Sequence, residues 1–314
     1  LLRCLPFRVR FLLPLLFACL IGACGGSTPA TSFEFAVMGD APYRPENVTR
    51  VEQLIQDVNA DGSLQWVIHL GDIKGGSAPC DDAVLQGRLD LFNQFKIPFL
   101  YTPGDNDWYD CMRERAGSWN RDERLTFLRS LFFARPTSSS AGMAMNVQTQ
   151  STDSAYAEFV ENQMWKYGNV TFATVHLLRV KPQNMDSTDA AHRLAAGAAW
   201  IKNAFQRAKE EGHSGVFLAT QVDPWPWNSL GPVDGIESLY DLLAQESAQF
   251  DGQVVLAVGD THIYRVDKPL YSEGSLVHNF TRMEVFGDPV VGWVRVRVDP
   301  QSDQLFSFSQ QLIE

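Results

Sequence analysis

The chain has 314 residues, 45% hydrophobic and 20% charged, with a formal net charge of −11. That length allows one large domain or two small ones, and the composition is ordinary for a globular protein. The acidity argues against nucleic acid as a main partner, because phosphate backbones are gripped by basic patches, but it does not repel a metal cation.

The first elements read as targeting. Arg3, Arg8 and Arg10 flank the start of the apolar run FLLPLLFACLIGA, which is too short to span a membrane comfortably. Residues 1–23 are therefore expected to be an export signal. The run ends in Ile21-Gly22-Ala23-Cys24, similar to the bacterial lipobox, in which a lipid-modified cysteine becomes the new N-terminus. On that pattern the protein sits on the periplasmic face of a bacterial envelope, held to the membrane by a lipid on Cys24, with residues 24–32 as the linker. A plain signal peptide cut after Ala23 is the alternative. Cys4, Cys19 and Cys24 belong to this region, which leaves Cys80 and Cys111 in the body. Two thiols in an exported protein suggest one disulfide, although two unrelated buried thiols would fit the count.

After the linker the chain alternates. A strand is expected over 33–38, then a helix with Val51, Leu54, Ile55 and Val58 on one face, and a strand over 66–70. A helix carrying Leu85, Leu89 and Phe92 leads to a strand at 97–102, and Leu125, Leu128 and Phe132 mark a third helix. Residues 134–154 are polar and without period, as in a surface insertion. Strands follow at 156–160 and 170–180. A long helix then carries Leu194, Ala198, Ile201, Phe205 and Ala208, stopped near Gly212. A strand at 215–219, a helix at 236–243 and strands at 254–258, 282–286 and 290–298 close the chain. No internal repeat or second domain is visible, so 33–314 reads as a single α/β domain with helices packed on central sheets.

Four of these strands end in the same pair: Gly39-Asp40, Gly71-Asp72, Gly104-Asp105 and Gly259-Asp260. In layered α/β folds ligands bind at the carboxyl ends of strands. The intervals of 32 and 33 residues between Asp40, Asp72 and Asp105 each suit one βαβ unit, which takes about 30. Neighbouring strands would thus bring several carboxylates to one rim. A fifth pair, Gly287-Asp288, is followed by Pro289 and reads as a plain turn. Cys80 and Cys111 lie in the loops after two of these strand ends, so their bridge would tie those loops together. Capping of the following helices is the bland account of the aspartates. Clustered carboxylates, however, repel one another and ask for cations. With His262, two residues after Asp260, they suggest a divalent metal site able to work on phosphoesters.

The ordered segments GDAP, GDIK, PGDND and GDTH resemble the calcineurin-like metallophosphoesterase superfamily, in a divergent exported bacterial form. The resemblance implies a layered α/β/β/α sandwich. It also implies that Asp40, Asp72 and His262 hold one ion and that Asp72, Asp105, Asp260 and Gln221 hold another, with Asp72 shared. Pro42, Gly75, Asn106, Gln221 and Asp260 stand where the family has other residues, mostly histidines. Asn106 takes the place of the usual proton donor, which leaves Asp107, and after it Asp110 and Asp223, as candidate acids. An oxygen-rich donor set favours Mn²⁺ or Mg²⁺ over Zn²⁺, with Ca²⁺ also admissible.

The resemblance thus implies a metal-dependent hydrolase of a small phosphoester. The missing histidines keep open a non-catalytic binding lipoprotein on the same fold. Lys74 and Arg265 near the rim are read either as substitutes for a metal's charge or as solvated loop charges. Trp108, Tyr109, Trp225 and Trp227 either line a groove or pack loops. His69 and His176 are expected in the core, and His278, Asn279 and Arg282 are a weaker candidate set for phosphate.

Overall fold

The computed structural model describes residue 1 and residues 31–178, 187–225 and 236–313. The export segment, Cys24 and Trp227 lie outside the described residues. The first part of the chain runs β1 (Phe33–Met38), α1 (Pro45–Ala60), β2 (Leu64–His69), α2 (Asp82–Phe92), β3 (Pro98–Tyr101), α3 (Arg121–Phe132) and β4 (Ala141–Gly142). There follow β5 (Gln148–Thr149), β6 (Gln163–Tyr167), β7 (Val170–Thr174), α4 (Ser187–Glu211), β8 (Gly215–Ala219), α5 (Glu237–Ala248) and β9 (Gln253–Val258). The last part holds β10 (Arg265–Asp267), β11 (Tyr271–Ser272), β12 (Ser275–Leu276), β13 (Phe280–Glu284), β14 (Gly292–Val298) and β15 (Phe306–Leu312).

The strands form two large mixed sheets, ordered β15-β14-β1-β2-β3-β4 and β10-β13-β9-β8-β7-β6-β5. Within the first, β1, β2 and β3 are parallel; within the second, β7, β8, β9 and β13 are parallel. These strands are apolar on both faces because both faces are covered. In β1, Phe35 and Val37 join a cluster between the sheets with Phe172, Phe217 and Val255. Ala36 and Met38 of the same strand point the other way, against Val51, Leu54, Ile55 and Val58 of α1. In β9, Val255 and Ala257 face the first sheet. Val254, Leu256 and Val258 of that strand face the cluster that contains Phe205 of α4 and Leu239 and Leu243 of α5. Three stacked apolar clusters thus define the α/β/β/α layers of a single domain.

Two sequence expectations are corrected. Residues 134–154 are not merely a surface insertion: Ala141 of β4 pairs with Phe99, Gln148–Thr149 pairs with β6, and Ser139, Ser140, Thr149 and Gln150 are buried. Strands of two residues are too short to show a period. The strand expected at 156–160 is turned chain, with Tyr156 N–H donating to Asp153 and Phe159 N–H to Tyr156. The strand forms instead at Gln163–Tyr167.

Candidate metal centre

Parallel pairing places the ends of β1, β2 and β3 side by side. The Asp40 amide donates to Gly71 O at 3.0 Å, and the Thr102 amide donates to His69 O at 3.1 Å. The second sheet meets this rim at Asp40, whose two carboxylate oxygens accept from the Asp260 amide at 3.2 and 3.3 Å. Glycine is required for the approach. A β-carbon on Gly259 would lie 2.3 Å from Asp40 Oδ2, and one on Gly104 would lie 2.0 Å from Asp72 Oδ1. Asp40, Asp72, Asp260 and His262 hold left-handed backbone, with φ of 49°, 55°, 76° and 64°. Such strain in non-glycine residues gathers where geometry matters more than stability.

Asp40, Asp72 and Gln221 form a buried floor, while Tyr43, Asp105, Asn106, Asp260 and His262 are half-buried above it. Tyr43, which the sequence reading passed over, occupies the middle. Its hydroxyl lies 2.9 Å from Asp72 Oδ2, 3.4 Å from Asp40 Oδ1 and 3.3 Å from His262 Nε2. His262 Nε2 is 3.6 Å from Asp40 Oδ1. His262 Nδ1 sits 2.7 Å from the Asp288 carbonyl, to which it can only donate, and this bond turns Nε2 toward the cluster. Asp288 belongs to the Gly-Asp pair first read as a plain turn. It orients the histidine, and its amide donates to Asp40 O at 2.9 Å. The only sequence signal for this role was the dipeptide itself.

Asn106 Nδ2 donates to Asp72 Oδ2 at 2.6 Å and to Tyr43 Oη at 3.1 Å, and its amide N–H donates to Asp72 Oδ1 at 3.1 Å. Its amide therefore orients Asp72 and Tyr43. Gln221 Nε2 lies 3.4 Å from Asp72 Oδ2. Asp107, read from the sequence as a proton donor, is placed otherwise. It is fully buried and accepts from the amides of Asp72, Ile73 and Gly104 at 2.9, 2.7 and 2.8 Å and from Tyr101 Oη at 2.6 Å. Four donors make it the clamp between the Asp72 and Asp105 loops, not an acid facing substrate. Asp110 pairs with Arg113 at 2.6 Å, and Asp223 pairs with Arg282 and Arg265.

The other sequence candidates lie apart from the cluster. Asn279 ties down three carbonyls, and Arg282 pairs with Asp223 and Asp267. Trp108, Tyr109 and Trp225 are buried packing residues rather than groove walls. His69 is buried in β2, as core placement requires, with Nε2 3.0 Å from Ala41 O and Nδ1 accepting from the Gly71 amide. It thereby braces both loops beside Asp40 and Asp72. A disulfide joins Cys80 and Cys111 across a Cα separation of 5.6 Å, which links the loop after Asp72 to the loop after Asp105.

Burial, then Asp260, pushes the Asp40 carboxyl well above the usual range, and burial, then Asp105, Asp107 and Asp40, does the same to Asp72. Asp105 is pushed up to about 7 by burial and then by Asp110 and Asp260. Lys74 is buried beside Asp107, Asp72 and Asp110, but its Nζ donates to the Gly75 carbonyl at 3.1 Å. Arg265 is committed to Glu284 and Asp223.

Among the described residues no three His, Cys, Asp or Glu side chains are by themselves arranged to hold a metal ion. The acceptors nevertheless converge on one point. Asp40, Asp72 and His262 present acceptors to a single hydroxyl that has one proton to give. Asp72 Oδ2 also accepts from Asn106 and Asp40 Oδ1 from the Asp260 amide, so the Tyr43 proton is shared among groups that are already partly paired.

The profile of the calcineurin-like phosphoesterases matches residues 33–264. Among solved structures, the chain is similar to GAP50, the anchor in the inner membrane complex of Plasmodium, at 10% identity and a TM-score of 0.50, with 90% of each chain covered. It is also similar to a 5'-nucleotidase precursor from Thermus thermophilus, at 12% identity and a TM-score of 0.46, over 90% of this chain and 54% of that one. No curated protein matches. At these identities the likeness to GAP50 bears on the fold alone.

Proposed function

The chain belongs to the calcineurin-like phosphoesterase family, and from that premise we propose that it hydrolyses a small phosphoester with a divalent cation, Mn²⁺ or Mg²⁺, held at the strand-end rim. We place it on the periplasmic face of a bacterial envelope, anchored through a lipid on Cys24. The observation that carries the catalytic reading is the convergence of Asp40, Asp72 and His262 acceptors on one point occupied by a neutral hydroxyl. When bound, the cation would polarise a phosphoryl oxygen and make water more acidic.

The chain's own residues do the rest. Asp40, Asp72 and His262 would hold the cation, and Asp288 fixes the tautomer and direction of His262. Asp105 and Asp260, half-buried at the open edge, give a second position whose carboxylates already repel each other. Asn106 directs Asp72 and has no acidic proton to give a leaving group. Esters whose leaving group departs without protonation are therefore the expected substrates. The test is hydrolysis of a nitrophenyl phosphodiester by the Mn²⁺-loaded protein. Asp72→Asn should abolish it with the fold intact, and Asn106→Ala should cost much less. Failure to cleave any phosphoester with any divalent cation overturns the catalytic reading in favour of a binding protein.

A further inference from the structure

The geometry points to Arg113 as the residue that grips a second phosphate of the substrate, an inference that rests on the cation-dependent reading above. The substrate class this assigns is a pyrophosphate diester, a phosphoester joined through oxygen to another phosphate. Arg113 follows the 3₁₀ turn Tyr109–Met112, where side chains three apart lie over one another, and its Nη1 lies 2.6 Å from Asp110 Oδ2. The Asp110 side chain is 5% exposed and that of Arg113 52%, so a buried carboxylate anchors a guanidinium that faces solvent. That pair engages Nη1; the edge formed by Nε and Nη2 is the fork that matches two oxygens of a phosphate. The backbone is fixed as well. The Arg113 amide donates to Asp110 O at 3.0 Å, and its carbonyl accepts from the Ala116 and Ser118 amides at 3.0 Å. Cys111, two residues earlier, carries the disulfide to Cys80.

Gly76 lets this cation reach the site. A β-carbon there would lie 2.4 Å from Asn106 Oδ1, 2.5 Å from Arg113 Nη1 and 2.7 Å from Asp110 Oδ2, so the three atoms crowd a point that only glycine leaves open. Arg113 thus stands beside Asn106, whose Nδ2 holds Asp72. It is also close enough to Asp105 to oppose the burial, Asp110 and Asp260 that raise that carboxyl. A half-exposed ion pair adds little to stability, whereas a guanidinium held at an acidic rim gives a docking point to a charged substrate that the carboxylates would otherwise repel. On this side of the rim Asn106 has no acidic proton, Asp107 faces inward onto backbone amides and Asp110 is paired, so a leaving group departs unprotonated. A phosphate monoester suits that, since its second pKa is about 6. In the step, a water oxygen bonds to one phosphorus, and the bond from that phosphorus to the bridging oxygen breaks with its electron pair leaving on the second phosphate. The protons of the water pass to solvent at about pH 8, where both products are dianions. Arg113 meets the charge that develops on the departing phosphate.

The test uses two substrates that yield the same phosphoryl product, the nitrophenyl ester of adenosine monophosphate and diadenosine pyrophosphate. Only the second has a leaving group that is charged before it departs. Both are given to the Mn²⁺-loaded full chain and to its Arg113→Ala and Arg113→Lys variants. Arg113→Ala is expected to lower kcat/KM for the pyrophosphate about a hundredfold or more and to leave the nitrophenyl ester within about threefold. Arg113→Lys is expected to recover part of the loss, since it keeps the charge without the fork. Equal losses on both substrates make Arg113 a prop for its loop and overturn the inference, as does no loss on either. Cleavage of the nitrophenyl ester without the pyrophosphate overturns it while cation-dependent hydrolysis stands. If neither is cleaved with any divalent cation, both readings fall. If the pyrophosphate alone is cleaved, a loss in Arg113→Ala that Arg113→Lys does not ease overturns the inference. Should the variants not fold, the natural chain decides: a higher kcat/KM for the pyrophosphate supports the inference, and a lower one overturns it.

Discussion

Glu161 and Asp72 are both almost wholly buried, yet their surroundings drive them in opposite directions. Burial raises each. Around Glu161, Arg129 contributes a fork of 2.6 and 2.9 Å and His176 a contact of 2.8 Å, and the carboxyl is drawn down to about 2. Around Asp72 the charged neighbours first in weight are Asp105, Asp107 and Asp40, and the carboxyl rises well above its ordinary range. At Glu161 the chain supplies its own counter-charge. At the rim left-handed backbone and close glycine contacts gather like charges, which protons or the proposed cation would neutralise.

The largest effect is expected at Arg129. Arg129→Ala leaves Glu161 buried with its main partner gone and is expected to cost about 3–5 kcal/mol in urea unfolding. Asp72→Asn removes a charge set among like charges in the cation-free chain, so it should leave stability unchanged or raise it. A cost for Asp72→Asn as large as that for Arg129→Ala would erase the distinction.

A smaller effect is expected from pH. The Asp105 carboxyl lies at about 7 when folded against an ordinary value of 3.8, so the folded protein holds its proton more tightly. Its contribution to stability is present below about pH 4 and is lost as pH rises through about 7. Glu161, at about 2 when folded against 4.5, behaves in the opposite sense: it stabilises above about 4.5 and that contribution is lost as pH falls through about 2. The stripped protein should therefore lose stability between about pH 4 and about pH 8. Saturating Mn²⁺, at about a hundred times its dissociation constant, should restore about 2.7 kcal/mol at about pH 8. Thermal melts from about pH 2 to about pH 8 check both signs.

The sequence made the layered fold legible because strands covered on both faces are continuous apolar runs, and their Gly-Asp ends stand out against them. The disulfide was legible from its two loops. Tyr43 was not, because a lone tyrosine three residues after Asp40 carries no periodicity or spacing that marks it. Asp107 was misread for the same reason: next to Asp105 and Asn106 it looks like rim chemistry. Only the pairing of β2 with β3 reveals that it faces inward onto three backbone amides. Asp288 was hidden because its carbonyl, not its carboxylate, acts on His262.

Element analysis of the full chain, purified without chelator at about pH 8, decides whether the rim carries a cation. The account predicts at least one divalent cation per chain, lost in Asp72→Asn and retained in Arg129→Ala material that still folds. A chain that carries no cation, takes none up when Mn²⁺, Mg²⁺, Zn²⁺ or Ca²⁺ is supplied, and is no less stable for it at that pH would contradict the account.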